Sequence, residues 1–386
     1  MSTPPFYELP VAHTPQHPVS ALVFAPAGGS SAAPRLLVSS WDKTVRLYTL
    51  AAAEASTEEA PQQAQLVHTF EHEAAVLDVV WIDEQRAASA SLDRCVRLLD
   101  LQTGQSQILG RHGSGVNRVR YDPVSELLLS TSWDSTLSIF SLSPPSQLHT
   151  LTLPAKPLAM DISPGAGAAD ETPRAVVAMT GRTVHIYEMR ALRAACDRLA
   201  KDEKVEEKSW EPNQTRESSL KYMVRDVRCM PNGEGYASAS VEGRIAVEFF
   251  APSPEAQAQK YAFKCHRQVV DGIDTVYPVN AMAFHPRHGT FASLGGDAIA
   301  SIWDAAARKR RLQYARFPSP LTAAAVSADG SLFALASGGE NIEDARHEGA
   351  DKGEVGGVGE GGEGNVRIHV ARADEDFKPK AKAAAA

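Results

Sequence analysis

A pattern of short alternating apolar segments recurs seven times along the chain. The first segment of each copy ends near an aromatic residue or a proline, as in VSALVFAP from Val19, VNRVRYDP from Val116 and VNAMAFHP from Val279. A run of small residues, a tight turn and a third alternating segment follow in each copy. Alternation with a period of two predicts β-strands. The chain is therefore predicted to be an all-β protein made of seven similar units.

The turn before the third segment carries an anchor residue at the equivalent place in each copy. The anchors are Asp42, Asp93, Asp134, Gly181, Glu242, Asp297 and Glu363. Their spacing of mostly about 40 to 60 residues is typical of WD40 repeats with insertions. Trp303 and Asp304 stand where the signature Trp-Asp dipeptide of that repeat belongs. The predicted fold is a single seven-bladed WD40 β-propeller.

The propeller is predicted to occupy residues 1–375. Because an open ring would leave unpaired strand edges, the stretch PFYEL is expected to add the outer strand of the last blade, beside VRIHV. Two segments break the repeat, a charged and partly helix-compatible insertion at 190–218 and a Gly- and Glu-rich loop at 338–364. Residues 376–386 are expected to form a disordered tail.

Composition narrows the classes of function. A net charge of −8 argues against a broad basic nucleic-acid footprint, although it leaves room for a local patch, so no direct nucleic-acid partner is expected. No signal pattern begins the chain and no apolar run approaches the roughly 20 residues that span a bilayer, so no membrane association is expected. A nuclear or cytosolic protein fits best.

Catalytic and metal-binding patterns are missing from the sequence. The four cysteines are widely spaced without a Cys-x-x-Cys pair, which indicates neither a zinc site nor a disulfide framework. The histidines at 112, 266, 285 and 288 have no metal-ligand spacing and accompany no nucleophile with an orienting acid. The protein is predicted to be no enzyme and to need no cofactor.

Two tryptophans interrupt the repeat where a small residue is typical. Trp41 and Trp133 each directly precede the anchor of their turn, on the rim of the ring. Exposed tryptophan is enriched at binding hot spots, which favours a peptide-binding groove. The alternative is that each ring folds onto its own blade as peripheral core. Trp81 aligns with aromatic residues of other first strands and is predicted to be core.

A group of cations forms the second interruption, in the fifth copy and its continuation. Arg225 replaces the small polar residues of other copies at the start of the first strand, on the side of the central channel. Arg244 follows the turn, and Lys264 and Arg267 lie in the segment YAFKCHR. Guanidinium groups suit carboxylates and phosphates because they offer paired donors. The alternative is a solvated surface with scattered ion pairs.

The central block of the sequence resembles a known family. The segments RESSLKYMVRDVRCMPNGEGYASASVEGRIAVEFF from Arg216, KYAFKCHR from Lys260 and YPVNAMAFHPRHGTFAS from Tyr277 are similar to the spindle-checkpoint propellers of the budding-uninhibited-by-benzimidazole family. The likeness also includes VSSWDKTVRLY and SWDSTLSIF and spans all seven copies. It departs from the family in the insertion at 190–218 and in the loop at 338–364.

The resemblance implies a non-enzymatic adaptor in the nucleus, at the kinetochore in mitosis. Its partners would be the GLEBS segments of a checkpoint kinase and of a kinase-like checkpoint protein, and threonine-phosphorylated Met-Glu-Leu-Thr repeats of the kinetochore scaffold. It further implies GLEBS contacts and phosphothreonine contacts for two groups of residues. These are Trp41, Trp133, Arg225 and Arg267 for GLEBS, and Arg244 and Lys264 for phosphothreonine.

Two other classes of function stay open at this stage. The sister family of messenger-RNA export propellers at the nuclear pore also binds a GLEBS segment, and AFHPRHGTFA is close to both families, whereas ESSLKY and KYAFKCHR favour the checkpoint family. A propeller enzyme with a site in its channel is the third class. It lacks a recognisable dyad, triad or metal set.

Overall fold

The computed structural model describes residues 7–9, 13–26, 33–50, 64–164, 172–338 and 366–379. Seven four-stranded antiparallel sheets are arranged as the blades of a ring. Their innermost strands contact each other in cyclic order around a central channel. The predicted seven-bladed WD40 propeller is confirmed.

The first strand of the chain, β1 (Tyr7–Glu8), belongs to the last blade. Blade 1 consists of β2 (Val19–Phe24), β3 (Arg35–Ser40), β4 (Thr44–Leu50) and β5 (Ala64–Glu71). Blade 2 consists of β6 (Val76–Trp81), β7 (Arg86–Ser91), β8 (Cys95–Asp100) and β9 (Ser106–Arg111). Blade 3 consists of β10 (Val116–Asp122), β11 (Leu127–Ser132), β12 (Thr136–Leu142) and β13 (Pro145–Thr152).

Blade 4 consists of β14 (Pro157–Ile162), β15 (Arg174–Met179), β16 (Thr183–Glu188) and β17 (Gln214–Glu217). Blade 5 consists of β18 (Val224–Cys229), β19 (Gly235–Ser240), β20 (Arg244–Phe249) and β21 (Tyr261–Lys264). A separate hairpin follows it, made of β22 (Arg267–Val270) and β23 (Ile273–Val276). Blade 6 consists of β24 (Val279–Phe284), β25 (Thr290–Gly295), β26 (Ala300–Asp304) and β27 (Lys309–Gln313). Blade 7 consists of β28 (Leu321–Val326), β29 (Leu332–Ser337), β30 (Arg367–Arg372) and β1.

Helices occur only between or after strands in the described residues. They are α1 (Met189–Ala200), α2 (Pro254–Ala258) and α3 (Asp374–Phe377), with 3-10 turns at Thr180–Arg182 and Glu207–Trp210. None of the helices in this described part is long and apolar enough to cross a membrane.

The second strand of each blade explains the runs of small residues in the sequence. Strands β11, β19, β25 and β29 are buried at every position. Each is covered on both faces by neighbouring blades, so small side chains such as those of GYASAS in β19 fit where larger ones would clash. Trp81 ends β6 as buried core and donates its indole N–H to the Val23 carbonyl at 2.9 Å, as predicted.

The ring closes by pairing the two ends of the chain. Strand β1 lies antiparallel to β30, with Tyr7 opposite Val370 and Glu8 opposite His369. This pairing gives blade 7 its fourth strand and satisfies the edge of β30. The predicted partnership of PFYEL with VRIHV is confirmed.

Buried polar networks link successive blades on the side of the ring that carries the anchor turns, here called the top face. In blade 6, the His266 Nδ1–H donates to the Asp297 carboxylate at 2.9 Å, and its Nε2 shares a hydrogen bond of 2.8 Å with the Ser293 hydroxyl. The Trp303 indole N–H donates to the same hydroxyl at 2.8 Å. Since buried polar groups stabilise only when paired, these networks fix the turns.

The segment 190–218 contains most of α1, the 3-10 turn at Glu207–Trp210 and all of β17. Helix α1 buries Leu192 and Cys196 against the outer parts of blades 3 and 4, and Trp210 stacks on His149 at 4.0 Å between ring centroids. The outer strand of blade 4 therefore lies within the segment that the sequence predicts to be an insertion. The loop predicted at 338–364 lies outside the described residues beyond Gly338.

The expected boundary of the tail at 376 does not agree with the structure. Helix α3 extends to Phe377, whose ring is fully buried beside His285 and Phe333. The Thr290 hydroxyl also donates to the Phe377 carbonyl at 2.6 Å. Burial of the Phe377 ring is enough to anchor Asp376 and Phe377, two residues that the sequence pattern assigns to the tail. Residues 380–386 lie outside the described part.

Candidate peptide-binding face

The two rim tryptophans lie on the top face but differ in exposure. Trp41 follows β3 directly and is 48% exposed, while its backbone N–H donates to the Pro18 carbonyl at 3.1 Å. Trp133 holds the same place after β11 and is half-buried, with the Lys156 ammonium 4.7 Å from its ring centroid. Neither ring belongs to a described core cluster, which argues against the peripheral-core alternative.

Both tryptophans line one cavity at the top of the central channel, here called the channel mouth. It has a volume of about 500 Å³. Its wall includes small polar residues from the start of the innermost strands, namely Ser20, Asn117, Asn280 and Thr322. Arg225 lines the same cavity, as its position in the repeat predicts. The structure therefore brings together two apolar rings and one guanidinium group around a polar channel.

Arg225 is exposed and weakly held at the channel mouth. Its Nη2 lies 3.3 Å from the Asn280 Oδ1, and its carbonyl accepts a hydrogen bond of 3.4 Å from Arg118. No carboxylate of the described residues pairs with it within 4.0 Å. A guanidinium without a carboxylate partner keeps its donors for an incoming anion.

Below the mouth, arginine and aspartate side chains of the channel wall form ion pairs with one another. Arg120 bridges Asp78 and Asp161, and Arg228 pairs with Asp226 at 3.0 Å. Burial lowers the pKa of Arg118, next to this set, and the attraction of Asp78 and Asp226 opposes that shift. Arg118 and Lys156 are not predicted from the sequence, although Arg118 directly follows Asn117, the blade 3 equivalent of Arg225.

Arg244 and Lys264 lie side by side on the outer half of blade 5. They are directly opposite each other in the pairing of β20 with β21. Such residues have Cβ atoms about 4.5 to 5.5 Å apart, so both cations can reach one small anion. The Arg244 Nε lies 3.5 Å from the Glu242 carboxylate, a loose contact, and Lys264 is exposed.

Arg267 joins this second group and does not line the channel mouth. It starts β22, where Nη1 lies 3.1 Å from Asp274 and Nη2 donates to the Glu242 carbonyl at 3.3 Å. Arg267 and Lys264 line a separate cavity of about 280 Å³ between the outer parts of blades 5 and 6. The six predicted residues therefore form two groups, one around the channel and one at the outer end of blade 5.

An apolar part of this face was not predicted from the sequence. On the hairpin, Val269 is 73% and Ile273 is 69% exposed, and Tyr222 and Met223 are exposed in the loop before β18. Met223 lines the channel mouth, and its carbonyl accepts a hydrogen bond from the Val241 N–H at 3.1 Å. The exposed valine and isoleucine in RQVVDGIDTV were a signal that could have been found, because exposed β-branched side chains seldom cluster without a partner.

Reactive groups are few in the described residues. All four cysteines are buried, and burial raises the pKa of the Cys265, Cys229 and Cys196 thiols, with that of Cys196 at about 11. No group of three or more His, Cys, Asp or Glu side chains in the described ranges could hold a metal ion. His266 has a structural role between blades 5 and 6.

Comparison with known proteins agrees with this architecture. The family model of the WD domain, G-beta repeat, matches residues 8–49 and 104–141. The chain is 41% identical over 307 residues to the mitotic checkpoint protein BUB3.1 of Arabidopsis thaliana, which covers 78% of this chain and 80% of that protein. The chain belongs to the BUB3 family. A second member, the mitotic checkpoint protein bub3 of Dictyostelium discoideum, is 34% identical over 87% of this chain and 89% of its own length.

A third relative has a name from a different process. The Poly(A)+ RNA export protein of Schizosaccharomyces pombe is 31% identical over 85% of this chain and 83% of its own length. The resemblance to the checkpoint family drawn from the sequence is confirmed, and the similarity to export propellers is also present.

Proposed function

We propose that the chain is a non-enzymatic adaptor of the spindle assembly checkpoint that binds peptides on its top face. It holds GLEBS segments of a checkpoint kinase and of a kinase-like checkpoint protein, and it reads threonine-phosphorylated Met-Glu-Leu-Thr repeats of the kinetochore scaffold. The observation that carries this proposal is the gathering of two exposed or half-buried tryptophans and four cations on one face of an acidic protein. Membership of the BUB3 family supports it.

The GLEBS segment lies across the channel mouth in this proposal. Trp41 and Trp133 receive apolar side chains of the segment, because exposed indole rings gain most from being covered. Arg225 and Arg267 stand apart on the two sides of blade 5 and hold carboxylates of the segment by charge-assisted hydrogen bonds. Their present partners, Asn280 and the exposed Asp274, are weak competitors for those donors.

The phosphothreonine binds between Arg244 and Lys264. A phosphate group carries about −1.5 to −2 charges and three acceptor oxygens. The cross-strand pair supplies a guanidinium fork and an ammonium from neighbouring strands, so both can bind the same phosphate. The loose contact with Glu242 leaves most Arg244 donors free for it.

The direct test of the first half is a titration with a GLEBS peptide. Arg225→Glu and Arg267→Glu each replace an attraction with a repulsion and are expected to abolish binding of an acidic segment. Arg190→Glu is the matched control, since it reverses an exposed cation on α1, away from the top face. Unchanged affinity in both top-face variants would show that the cations belong to the solvated surface.

The names of two relatives also support a proposal for where in the cell the chain acts. Two carry the name of mitotic checkpoint proteins, and on that basis this chain acts in the nucleus and at the kinetochore in mitosis. Recovery of a checkpoint kinase and the kinetochore scaffold with the tagged chain from mitotic cells is the expected outcome.

A second candidate is a messenger-RNA export adaptor at the nuclear pore. The 31% identity to the Poly(A)+ RNA export protein favours it. Both candidates use a GLEBS segment, so the partner separates them. A nucleoporin with bound RNA in the same pull-down, without checkpoint proteins, would support the export function.

A further inference from the structure

The outer strand of blade 6 carries the densest positive charge of the described residues. Arg308, Lys309, Arg310 and Arg311 are consecutive, and the chain from 305 to 328 contains no Asp or Glu. The first three side chains are exposed, and Arg311 is half-buried. These four residues are here called the basic strand.

Protection of the sheet edge is the first explanation to consider, because charged side chains on an outer strand prevent edge-to-edge pairing. The outer strands of the other six blades are the control. Each of β1, β5, β9, β13, β17 and β21 contains at most one Lys or Arg. Since six edges are protected without such a run, edge protection does not account for the basic strand.

The basic strand also has no carboxylate partner, unlike several other arginines of the described chain. Arg46, Arg97, Arg120 and Arg228 each form an ion pair. In the basic strand, by contrast, Arg308 donates to the Gln259 carbonyl and lies over the Tyr261 ring, and Arg310 donates to the Gln313 side chain.

Arg311 is the fixed member of the group. It donates to the carbonyls of Glu375 and Asp376, both in α3. None of the four cations lies within 4.0 Å of a carboxylate in the described part of the chain. Asp304 is the cross-strand neighbour of Lys309 but forms no ion pair with it, so the exposed Arg308, Lys309 and Arg310 can contact an external anion.

We infer that the basic strand binds the phosphate backbone of a nucleic-acid duplex, independently of sequence. Arg308, directly before β27, and Lys309 and Arg310 on β27 are exposed cations at successive positions, which suits a polymer that carries a charge at every residue. Single strands usually need exposed aromatic rings for base stacking, but Tyr261 lies under Arg308. Membrane anchoring needs apolar side chains, and no exposed large hydrophobic residue of the described chain lies on β27 or α3.

The net charge of −8 does not prevent such binding. Charges farther away than the Debye length of about 10 Å at 0.1 M salt are largely screened, so the local charge decides. This differs from the expectation of no direct nucleic-acid partner, which rests on net charge alone. Arg310 also lines the cavity that Lys264 and Arg267 line, but the inference does not depend on the proposed peptide binding, because it concerns a different ligand.

The test is fluorescence anisotropy of a labelled 20-base-pair DNA duplex titrated with the whole chain, with an RNA duplex and a single strand as separate arms. Three neutralised phosphates predict a slope of log affinity against log salt of about −3, or roughly 40-fold weaker binding at 200 than at 50 mM salt. The triple variant Arg308→Gln, Lys309→Gln, Arg310→Gln is expected to weaken binding at least tenfold and to bring the slope close to zero.

The matched control changes the same amount of charge elsewhere. Lys201→Gln, Lys204→Gln and Lys208→Gln together neutralise three exposed lysines between α1 and β17 and are expected to leave duplex binding within twofold. Arg244→Ala, which removes a proposed phosphothreonine contact, is also expected to leave it unchanged, so the two proposals fail separately. An equal loss in the lysine control, or no duplex binding at 50 mM salt, would overturn the inference.

Two further outcomes also contradict it. If polyglutamate of equal charge binds the basic strand as tightly as the duplexes do, the partner is an acidic protein. If the single strand binds more tightly than either duplex, the duplex assignment is wrong. DNA and RNA duplexes of equal affinity would support the phosphate backbone as the shared ligand, and a preference for one would identify its source.

Discussion

Blades 2 and 5 have the same backbone arrangement at the anchor turn, but the polar side chains around that turn are paired in blade 2 and partly unpaired in blade 5. In blade 2, Asp93 pairs with Arg97, and their side chains are only 3% and 9% exposed. His72 reaches across from blade 1 and shares a hydrogen bond of 2.8 Å with the Ser89 hydroxyl. Blade 2 therefore pairs its polar groups within the protein.

In blade 5 the equivalent network is incomplete. Ser218 occupies the position of His72, and the buried Ser238 hydroxyl has no hydrogen-bond partner in the described structure. Arg244 lies two residues closer to the turn than Arg97 does, and its side chain is 36% exposed. Ala246 stands where blade 2 has Arg97. A polar network that stays open costs stability and leaves donors available to a ligand.

The largest expected difference between the two blades is in folding stability. Arg97→Ala leaves the buried Asp93 carboxylate unpaired and is expected to lower the free energy of unfolding by about 3 to 5 kcal/mol. Arg244→Ala removes a half-exposed, loosely paired side chain and is expected to cost at most about 1 kcal/mol. Chemical denaturation of both variants measures the two losses in the free energy of unfolding. Equal losses would mean that the two turns have the same structural role.

For peptide binding the order is expected to be reversed: variants of blade 5 should lose more affinity than variants of blade 2. If phosphate gains two charge-assisted hydrogen bonds of about 1.5 to 3 kcal/mol each, phosphorylation of a Met-Glu-Leu-Thr peptide tightens binding roughly a hundredfold or more. Arg244→Ala and Lys264→Ala should erase most of that gain, whereas blade 2 variants that remain folded should keep it. Paired phosphorylated and unmodified peptides are titrated with a GLEBS segment bound. Equal affinity of wild type for both would contradict the phosphate site.

The contrast between blades also explains which features the sequence predicts. Blade order, ring closure and the core position of Trp81 follow from the period of two and from the need to pair strand edges, which act at every copy of the repeat. The position of Arg225 at the channel mouth follows from aligning the copies. These features depend on local pattern alone, whereas the cross-strand pairing of Arg244 with Lys264 is seen only in the structure.

Other features depend on contacts between distant segments. The sequence pattern did not reveal that the segment 190–218 includes β17, because its run QTRE is short and polar, nor that Phe377 would anchor α3 against blades 6 and 7. The incomplete network of blade 5 is visible only when Ser218, from the end of blade 4, is seen next to Ser238. Lys156 likewise reaches Trp133 from the following blade.

A third prediction compares tryptophans instead of arginines. Trp41→Ala and Trp133→Ala are expected to weaken GLEBS binding by roughly 2 kcal/mol or more with little change in melting temperature, because exposed hot-spot rings contribute to interfaces and little to the core. Trp81→Ala, the matched core variant, should instead destabilise the fold by about 3 to 5 kcal/mol. Calorimetry and thermal melting separate the two effects. A rim variant that melts early yet binds normally would restore the peripheral-core alternative.

The smallest expected effect is the response of the two blades to acid. Burial and the neighbouring positive charge of Arg97 lower the pKa of His72 from 6.5 to about 4, whereas Ser218 in blade 5 does not titrate. A lowered pKa in the folded state means that His72 contributes stability above the unfolded-state pKa and loses it as the pH falls toward 4. Between pH 7 and pH 5 the loss amounts to about 2 kcal/mol. The measurement is the free energy of unfolding from denaturant titrations at both pH values, for wild type and His72→Gln. Wild type and variant differ only at residue 72, so the difference between the two pH dependences belongs to that residue. Wild type should lose more stability than the variant on acidification, and parallel losses would show that folding does not lower the pKa of His72.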